Sequence, residues 1–379
     1  MDEANVASAP GKILWLGGYS VLEPGNISMV TTVDAKVTVT ARRLPGNSVI
    51  LDAPQLMMKA EGSLSDSGGL LVNVEKPLLL LKACVGTAAS YLAAMGYKPT
   101  GMHLVTKNDS PFSYSVDSGK IVKSGLGSSA ALSVASIASV FKAHGAAPEK
   151  EVVHKLAQIS HSLATGKVGS GFDIAAASYG SILYSRYSPE LLKGLPSEPS
   201  GDEIASLAGR RWDYSIEPFA LPRGFGIAFA NFTGESMITT QGIGSVASFK
   251  KSDPERYWEL IKGMERANRD SIEALRRIRK GEEGAEALFT KAFDEGRLLS
   301  KELGILSKTP IEPDDCTALI DESRKHGALV SKLPGAGGKD SIAGISASSG
   351  NLETLKSFWK HRSGLDFIEI REDPKGLTL

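Results

Sequence analysis

The stretch Lys123-Ser124-Gly125-Leu126-Gly127-Ser128-Ser129-Ala130-Ala131 leads from a cation through two glycines into a run of small apolar residues, 129–144, that closes on Gly145. The run reads as a helix, with the glycines at its N-terminus. Free amide N–H groups and the positive end of the helix dipole make such a turn a site for phosphate oxygens, and the hydroxyls of Ser128 and Ser129 can add hydrogen bonds or reach a metal. Glycine suits the turn because a Cβ would hold a phosphate chain away from the backbone. Two common phosphate cradles are excluded by spacing. A dinucleotide fold wants an acid roughly twenty residues further on, where Ala143-His144-Gly145 offers none. A Walker loop ends in Gly-Lys-Ser/Thr, and both Gly119-Lys120-Ile121 and Gly166-Lys167-Val168 fail.

Working outward, two more glycine-rich loops lie far away along the chain. Residues 9–19, Ala-Pro-Gly-Lys-Ile-Leu-Trp-Leu-Gly-Gly-Tyr, place Lys12 just before an apolar strand and Gly17-Gly18 just after it. Lys167-Val168-Gly169-Ser170-Gly171-Phe172-Asp173 brings together a second cation and an acid. With 379 residues, 42% of them hydrophobic and 23% charged, the chain is an ordinary folded one, and its length predicts two domains. Its 43 Lys and Arg balance 43 Asp and Glu, so no global field draws nucleic acid or an anionic membrane, and any anionic ligand must be met by a local pocket. Cys84 and Cys316 are the only cysteines, which excludes a disulfide framework or cysteine zinc site and fits a cytoplasmic setting. The acidic start, Met1-Asp2-Glu3, predicts no secretion signal. The most apolar window, 70–95, is interrupted by Glu75, Lys76 and Lys82 and reads as a buried helix rather than a membrane span.

Alternation over 27–42 predicts a strand pair, 78–95 and 149–165 read as helices, and 101–107 reads as a strand followed by turn chemistry over 108–119. Prolines crowd 189–222, which is the expected linker between domains at 1–188 and 223–379. Strands are expected at 225–232, 328–332, 341–346 and 365–371, and helices at 254–279, 282–303, 314–326 and 352–361. This is an α+β pattern without long βαβ alternation.

The three loops, in this order and over nearly the whole chain, resemble the GHMP small-molecule kinases. The N-terminal motif lies at 9–22, the phosphate loop at 125–131, and the C-terminal motif is Lys332-Leu333-Pro334-Gly335-Ala336-Gly337-Gly338-Lys339-Asp340. The resemblance implies an α+β, two-domain fold: an N-terminal domain like domain 2 of ribosomal protein S5, a ferredoxin-like C-terminal domain, and an active site in the cleft between them. It implies ATP and Mg2+, with Lys123, Gly125, Leu126, Gly127, Ser128, Ser129 and Ala130 around the nucleotide phosphates and Asn108 in an adenine-side loop. Gly17-Gly18-Tyr19 stands where mevalonate kinases carry Gly-Glu-His. The run 166–173, the pairing of Lys123 with the phosphate loop, Gly234-Glu235-Ser236-Met237, Lys251-Ser252-Asp253-Pro254 and Ala267-Asn268 are similar to the branch that acts on 5-phosphomevalonate. A mevalonate kinase's magnesium-binding Glu would fall near His161-Ser162, so the resemblance leaves the ion to Ser129, Asp173 and the phosphates.

Phosphoryl transfer needs positive charge on the transferring oxygens, and Lys12 is the expected clamp. A phosphate-monoester acceptor with a second pKa near 6 is mostly a dianion at pH 7, so Asp173 orients Lys12 and the metal instead of removing a proton. Lys167, Ser170, Tyr19 and Lys123, with the loop glycines Gly169 and Gly337, are the expected acceptor contacts. Asp173 also reads as a helix N-cap for 174–179, and His161 as a packed histidine outside the site. The competing readings are a kinase for mevalonate or a sugar, a related ATP-dependent decarboxylase, and a non-catalytic sensor on the same fold. The expected partner is the small-molecule substrate, with no nucleic acid and no membrane.

Overall fold

The computed structural model describes residues 5–115, 121–233 and 239–379. The largest sheet grows around one long strand. Strand β1 (Asn5–Leu16) pairs antiparallel along β2 (Ile27–Arg43), which also pairs with β6 (Met102–Asn108) and β9 (Ile182–Ser185). The expected strand pair over 27–42 is therefore a single strand, whose buried Val37, Val39 and Ala41 alternate with Lys36, Thr38 and Thr40. Strand β3 (Ser48–Ala53) joins β6 in parallel and continues to β4 (Met58–Leu64) and β5 (Leu70–Leu71). None of these three had a clear signal in sequence.

Behind the sheet lie α1 (Leu79–Ala94), α2 (Ser128–Ala143), α3 (Lys150–Thr165) and α4 (Phe172–Tyr179); a small pair, β7 (Ser113–Ser115) and β8 (Ile121–Lys123), precedes α2. Helix α2 packs on β1, β2, α1, α3 and α4 at once. Only small side chains let a helix be enclosed this closely, which is why Ala130, Ala131, Ala135, Ala138 and Ala143 are buried with Ser133, Ser136 and Ser139. The Ser139 hydroxyl sits 2.8 Å from the carbonyl oxygens of both Ala135 and Val39, tying the helix to the sheet. Helix α1 with its preceding turn, Lys76–Ala94, is long and apolar enough to cross a membrane by length and composition. It packs instead on α2, α3 and α5 (Gly201–Gly209).

Residues 189–222, expected as a linker, are built into this layer. Helix α5 starts at a capping box formed by Ser200 and Glu203, and β10 (Ser215–Pro218) pairs with β9. The prolines mark turns between these elements, not a flexible connection.

Strand β11 (Gly226–Phe232) opens the second unit, followed by α6 (Thr239–Ser252), α7 (Pro254–Arg279), α8 (Ala285–Leu306) and α9 (Asp314–Lys325). Strands β12 (Val330–Lys332) and β13 (Ser341–Ser346), helix α10 (Ser349–Lys360) and β14 (Leu365–Ile368) complete an antiparallel sheet ordered β12-β13-β11-β14. This is the ferredoxin-like order. The chain then returns to the first sheet. Thr32 Oγ1 donates to the Asp373 carbonyl at 2.6 Å, Leu377 N–H to the Ser178 carbonyl, and Thr378 pairs with Ser8.

His154 of α3 is fully buried, its ring 5.5 Å from that of Tyr179 and 5.0 Å from that of Tyr214. Burial lowers its pKa from 6.5 to about 3; Lys155 adds to the shift and the Ile174 backbone opposes it. Below pH 6.5 the unfolded chain takes up a proton that the folded chain refuses, so this stability is full above 6.5 and is lost as pH falls toward 3. The slope is about 1.4 kcal/mol per pH unit. Urea unfolding at pH 7, 6 and 5 is expected to show His154→Gln losing this share of the acid dependence. Equal slopes for variant and wild type would refute the assignment.

Candidate active site

Strand β1 leaves its register with β2 between Pro10 and Lys12. The Lys12 N–H, released by this bulge, donates to the Leu126 carbonyl at 2.8 Å, joining the first motif to the phosphate loop. The side chain repeats the connection, with Lys12 Nζ donating to the Gly125 carbonyl at 2.8 Å. Gly125 and Gly127 have φ of +73° and +84°, and Gly127 is the N-cap of α2. A Cβ on Gly127 would lie 2.9 Å from Lys12 Cε, so this glycine makes room for the lysine as well as for a ligand. Lys12 is 9% exposed; burial lowers its pKa, and Asp173 pulls it back up through space. Its ammonium also lies 5.8 Å from the centre of the Phe172 ring.

Asp173 is the second residue of α4, whose N-cap is Gly171 at φ +82°. The expected Asp173 cap is thus displaced by two residues: its carboxylate accepts only the neighbouring Ile174 N–H, at 2.9 Å, and Gly171 is needed because a Cβ there would meet Gln158 and the Tyr184 hydroxyl at 2.8 Å. The loop leading to it is held from behind. Gln158 Nε2 donates to the Gly171 carbonyl at 2.9 Å and the Tyr184 hydroxyl to the Ser170 carbonyl at 3.0 Å.

A cleft of about 770 Å³ opens in front of the start of α2. It brings together Asn108, Ser128, Ser129, Lys167 and Gly169 from the sequence-derived set. It also holds residues that sequence reasoning missed: Leu56 and Leu79 form an apolar mouth, Ile243 and Gly244 of α6 face them, and His161, set aside as packed, lines the wall. The signal for His161 was its place on the last turn of α3, just before the Gly166–Asp173 loop. Tyr19 and Gly337 are not in this cleft. They line a small cavity of about 40 Å³ between the two units, together with Gly18, Arg297 and Lys332. The Tyr19 hydroxyl donates to the Ala336 carbonyl at 3.2 Å, and burial raises its pKa to about 12. Lys332 Nζ donates to the Trp15 carbonyl at 3.0 Å, its pKa lowered by burial to about 8 against the pull of Glu312. These contacts bind the C-terminal motif to the end of β1. Lys123 ends β8, but its side chain lies outside the described residues, as does the run 234–237.

The residues at hand suit a magnesium nucleotide. The hydroxyls of Ser128 and Ser129 stand half-buried at a helix start in the cleft and the glycine turn precedes them, while Asp173, which is not part of the cleft lining, offers a hard oxygen donor beside Lys12. Among the described residues no group of three or more His, Cys, Asp or Glu side chains forms a metal cluster, so phosphate oxygens and water must complete the coordination of any such ion.

Residues 81–181, which hold the phosphate loop and Asp173, match the GHMP kinases N terminal domain. A phosphomevalonate kinase from Saccharolobus solfataricus is 30% identical over 98% of both chains. A peroxisomal phosphomevalonate kinase from Arabidopsis thaliana is 26% identical over 99% of this chain and 96% of its own. The Streptococcus pneumoniae phosphomevalonate kinase, solved with phosphomevalonate and AMPPNP, superimposes with a TM-score of 0.75 at 18% identity, covering 97% of this chain and 99% of that one. The chain therefore belongs to the phosphomevalonate kinase family of the GHMP kinases.

The two loop glycines make separable predictions. Gly125→Ala meets nothing closer than Ser341 Oγ at 3.6 Å and should carry only the left-handed backbone strain, about 1 kcal/mol. Gly127→Ala adds the collision with Lys12 and should lose more, roughly 2–3 kcal/mol. Denaturant unfolding of both variants checks the order, and equal losses would show that Lys12 is free to move away.

Proposed function

We propose that the chain transfers the γ-phosphoryl group of ATP to 5-phosphomevalonate, giving ADP and 5-diphosphomevalonate. The observation that carries this reading is the buried Lys12, held against the phosphate loop by two hydrogen bonds with Asp173 acting on it through space. A desolvated ammonium fixed beside a helix N-terminus is a preorganised positive site for the charge of a transferring phosphoryl group. The names of the relatives, and a structure of the same fold holding both phosphomevalonate and an ATP analogue, support the choice of substrates.

An acceptor phosphate oxygen attacks the γ-phosphorus, the new P–O bond forms, and the bond to the β,γ-bridging oxygen breaks with its electron pair leaving on ADP. Lys12 faces the oxygens that carry the charge. Lys167 and Ser170 lie on the acceptor side of the loop, Ser128 and Ser129 take the nucleotide phosphates, and Asn108 stands at the base side beside Leu56 and Leu79. Ser129 and Asp173, together with phosphate oxygens, would hold a Mg2+, which would supply further charge neutralisation. The acceptor arrives already ionised, so Asp173 need only orient its neighbours. We place the reaction in the cytoplasm, in keeping with the cysteine content, although one relative's name assigns it to peroxisomes.

With ATP and Mg2+, a panel of mevalonate, 5-phosphomevalonate, homoserine and galactose should give the highest kcat/KM for 5-phosphomevalonate. A higher value for mevalonate would overturn the reading. The pH profile tests the mechanism separately. For wild type it should follow the acceptor phosphate near pH 6. Lys12→Ala should be the more damaging substitution, by several kcal/mol of transition-state stabilisation, and Asp173→Asn should lower the rate without moving the acidic limb. Loss of that limb in Asp173→Asn, with the rate recovered at high pH, would make Asp173 a general base and point to a hydroxyl acceptor.

A further inference from the structure

Arg186 follows strand β9 and is only 7% exposed, yet none of its contacts is an ion pair among the described residues. Its guanidinium spans two of the glycine-rich motifs. Nη1 donates to the Leu22 carbonyl at 2.5 Å, in the turn that follows Gly17-Gly18-Tyr19, while Nη2 donates to the carbonyls of Val168 at 3.2 Å and Gly169 at 2.8 Å. Nε is buried without a hydrogen-bond partner among the described residues. Desolvation is the largest influence on this group and works against its charge; the carboxylate that helps it from a distance, Glu23, is itself taken by Lys250 of α6 and by the Tyr257 hydroxyl at 2.7 Å.

Burying a guanidinium against carbonyls alone is costly, and an apolar side chain of the same volume would pack there without that cost. Three carbonyls on two different loops demand a planar fork with several donors in fixed directions, which Arg provides and Lys does not. The neighbouring side chains serve the same loop. Tyr184, two residues earlier on the same face, holds the Ser170 carbonyl, and the Tyr187 hydroxyl donates to Gln158 Oε1, whose amide holds the Gly171 carbonyl. The whole backbone from 168 to 171 therefore has its carbonyls turned back into the protein.

We infer that Arg186 is a positioning residue, which clamps the 168–171 loop to the turn after the first motif and so sets the placement of Lys167, Ser170 and Asp173 on the acceptor side of the cleft. Its charge, in no ion pair among the described residues, lies behind that same loop and favours an anionic acceptor. The inference rests on the kinase reading above, and it assigns a role distinct from that of Lys12: Arg186 acts on the acceptor side and leaves the start of α2 untouched.

The test compares wild type with Arg186→Lys and Arg186→Met, after circular dichroism and thermal unfolding have established the folded fraction. Loss of the clamp should lower kcat/KM for 5-phosphomevalonate roughly 10- to 100-fold in Arg186→Met and by less in Arg186→Lys, through a higher acceptor KM, with the KM for ATP within about 2-fold of wild type. Amide hydrogen exchange over 168–172 should quicken in Arg186→Lys while α2 and α3 stay protected. Folded variants with wild-type acceptor constants would overturn the inference. So would activity lost only in proportion to the folded fraction, with both KM values unchanged. If Arg186→Met does not fold, Arg186→Lys decides alone by the same two readouts. If wild type does not phosphorylate 5-phosphomevalonate, the proposed reaction falls, and unchanged exchange over 168–172 would be needed to dismiss the clamp as well.

Discussion

One buried amine organises the molecule's working end. Lys12 is placed by a bulge in β1, bonded through both backbone and side chain to the phosphate loop, and given space by Gly127. Taking an ammonium out of water is expensive, and here a carbonyl at hydrogen-bond distance and a carboxylate further off offset the cost only in part. The remainder leaves a site whose electrostatics improve when an anion arrives. The strand, the loop and the enclosed helix α2 pack directly against one another around this lysine. The small side chains of α2 have the same origin: a bulkier helix would stand off from β1 and carry the loop away from the lysine.

The junction of the two units divides its tasks. On one side is the broad cleft with hydroxyls, two lysines, Lys76 and Lys167, and apolar lips. On the other is a small cavity where Tyr19 donates to the Ala336 carbonyl of the C-terminal glycine loop and Lys332 to the Trp15 carbonyl of β1. Gly337, with φ +79° and a hypothetical Cβ 2.2 Å from the Ile311 carbonyl, belongs to this second arrangement. Its glycine is required by close packing of the chain on itself. A glycine-rich motif in sequence can thus mark a helix-capping turn beside a cleft in one place and a tight backbone crossing in another.

That ambiguity explains what could be read from the sequence. The helix after the phosphate loop and the α+β division follow from periodicity and turn chemistry, the ferredoxin-like order came only with the resemblance to the GHMP kinases, and the residues gathered around the cleft, Asn108, Ser128, Ser129, Lys167 and Gly169, lie on the loops that the sequence singled out. Tyr19 and Gly337 were legible as motif members but not as parts of a separate cavity, since a one-dimensional spacing does not say which side of a strand end a side chain faces. Leu56, Leu79 and Ile243 were invisible because isolated apolar residues look alike whether they meet a core or a ligand. The 189–222 segment misled for a related reason: proline marks the ends of elements, and a short helix and strand between prolines resemble a linker in composition. Arg186 carried no motif of its own, as its partners are carbonyls and carbonyls have no sequence signature.

The return of residues 371–378 to the first sheet bears on how the protein is made. Asp34, Thr32, Ser178 and Ser8 receive their backbone partners from a segment more than three hundred positions downstream of the first strands, and buried Ile370 and Leu377 complete the same core. Synthesis runs from the N-terminus, and domains ordinarily fold as they emerge. Here Thr32 and Asp34 of β2 and Ser178 of α4 lack these partners until residues 371–378 have been made. The helix that presents Asp173, already packed on α2, α3, β1 and β2, gains these further contacts only after the second unit has been synthesised.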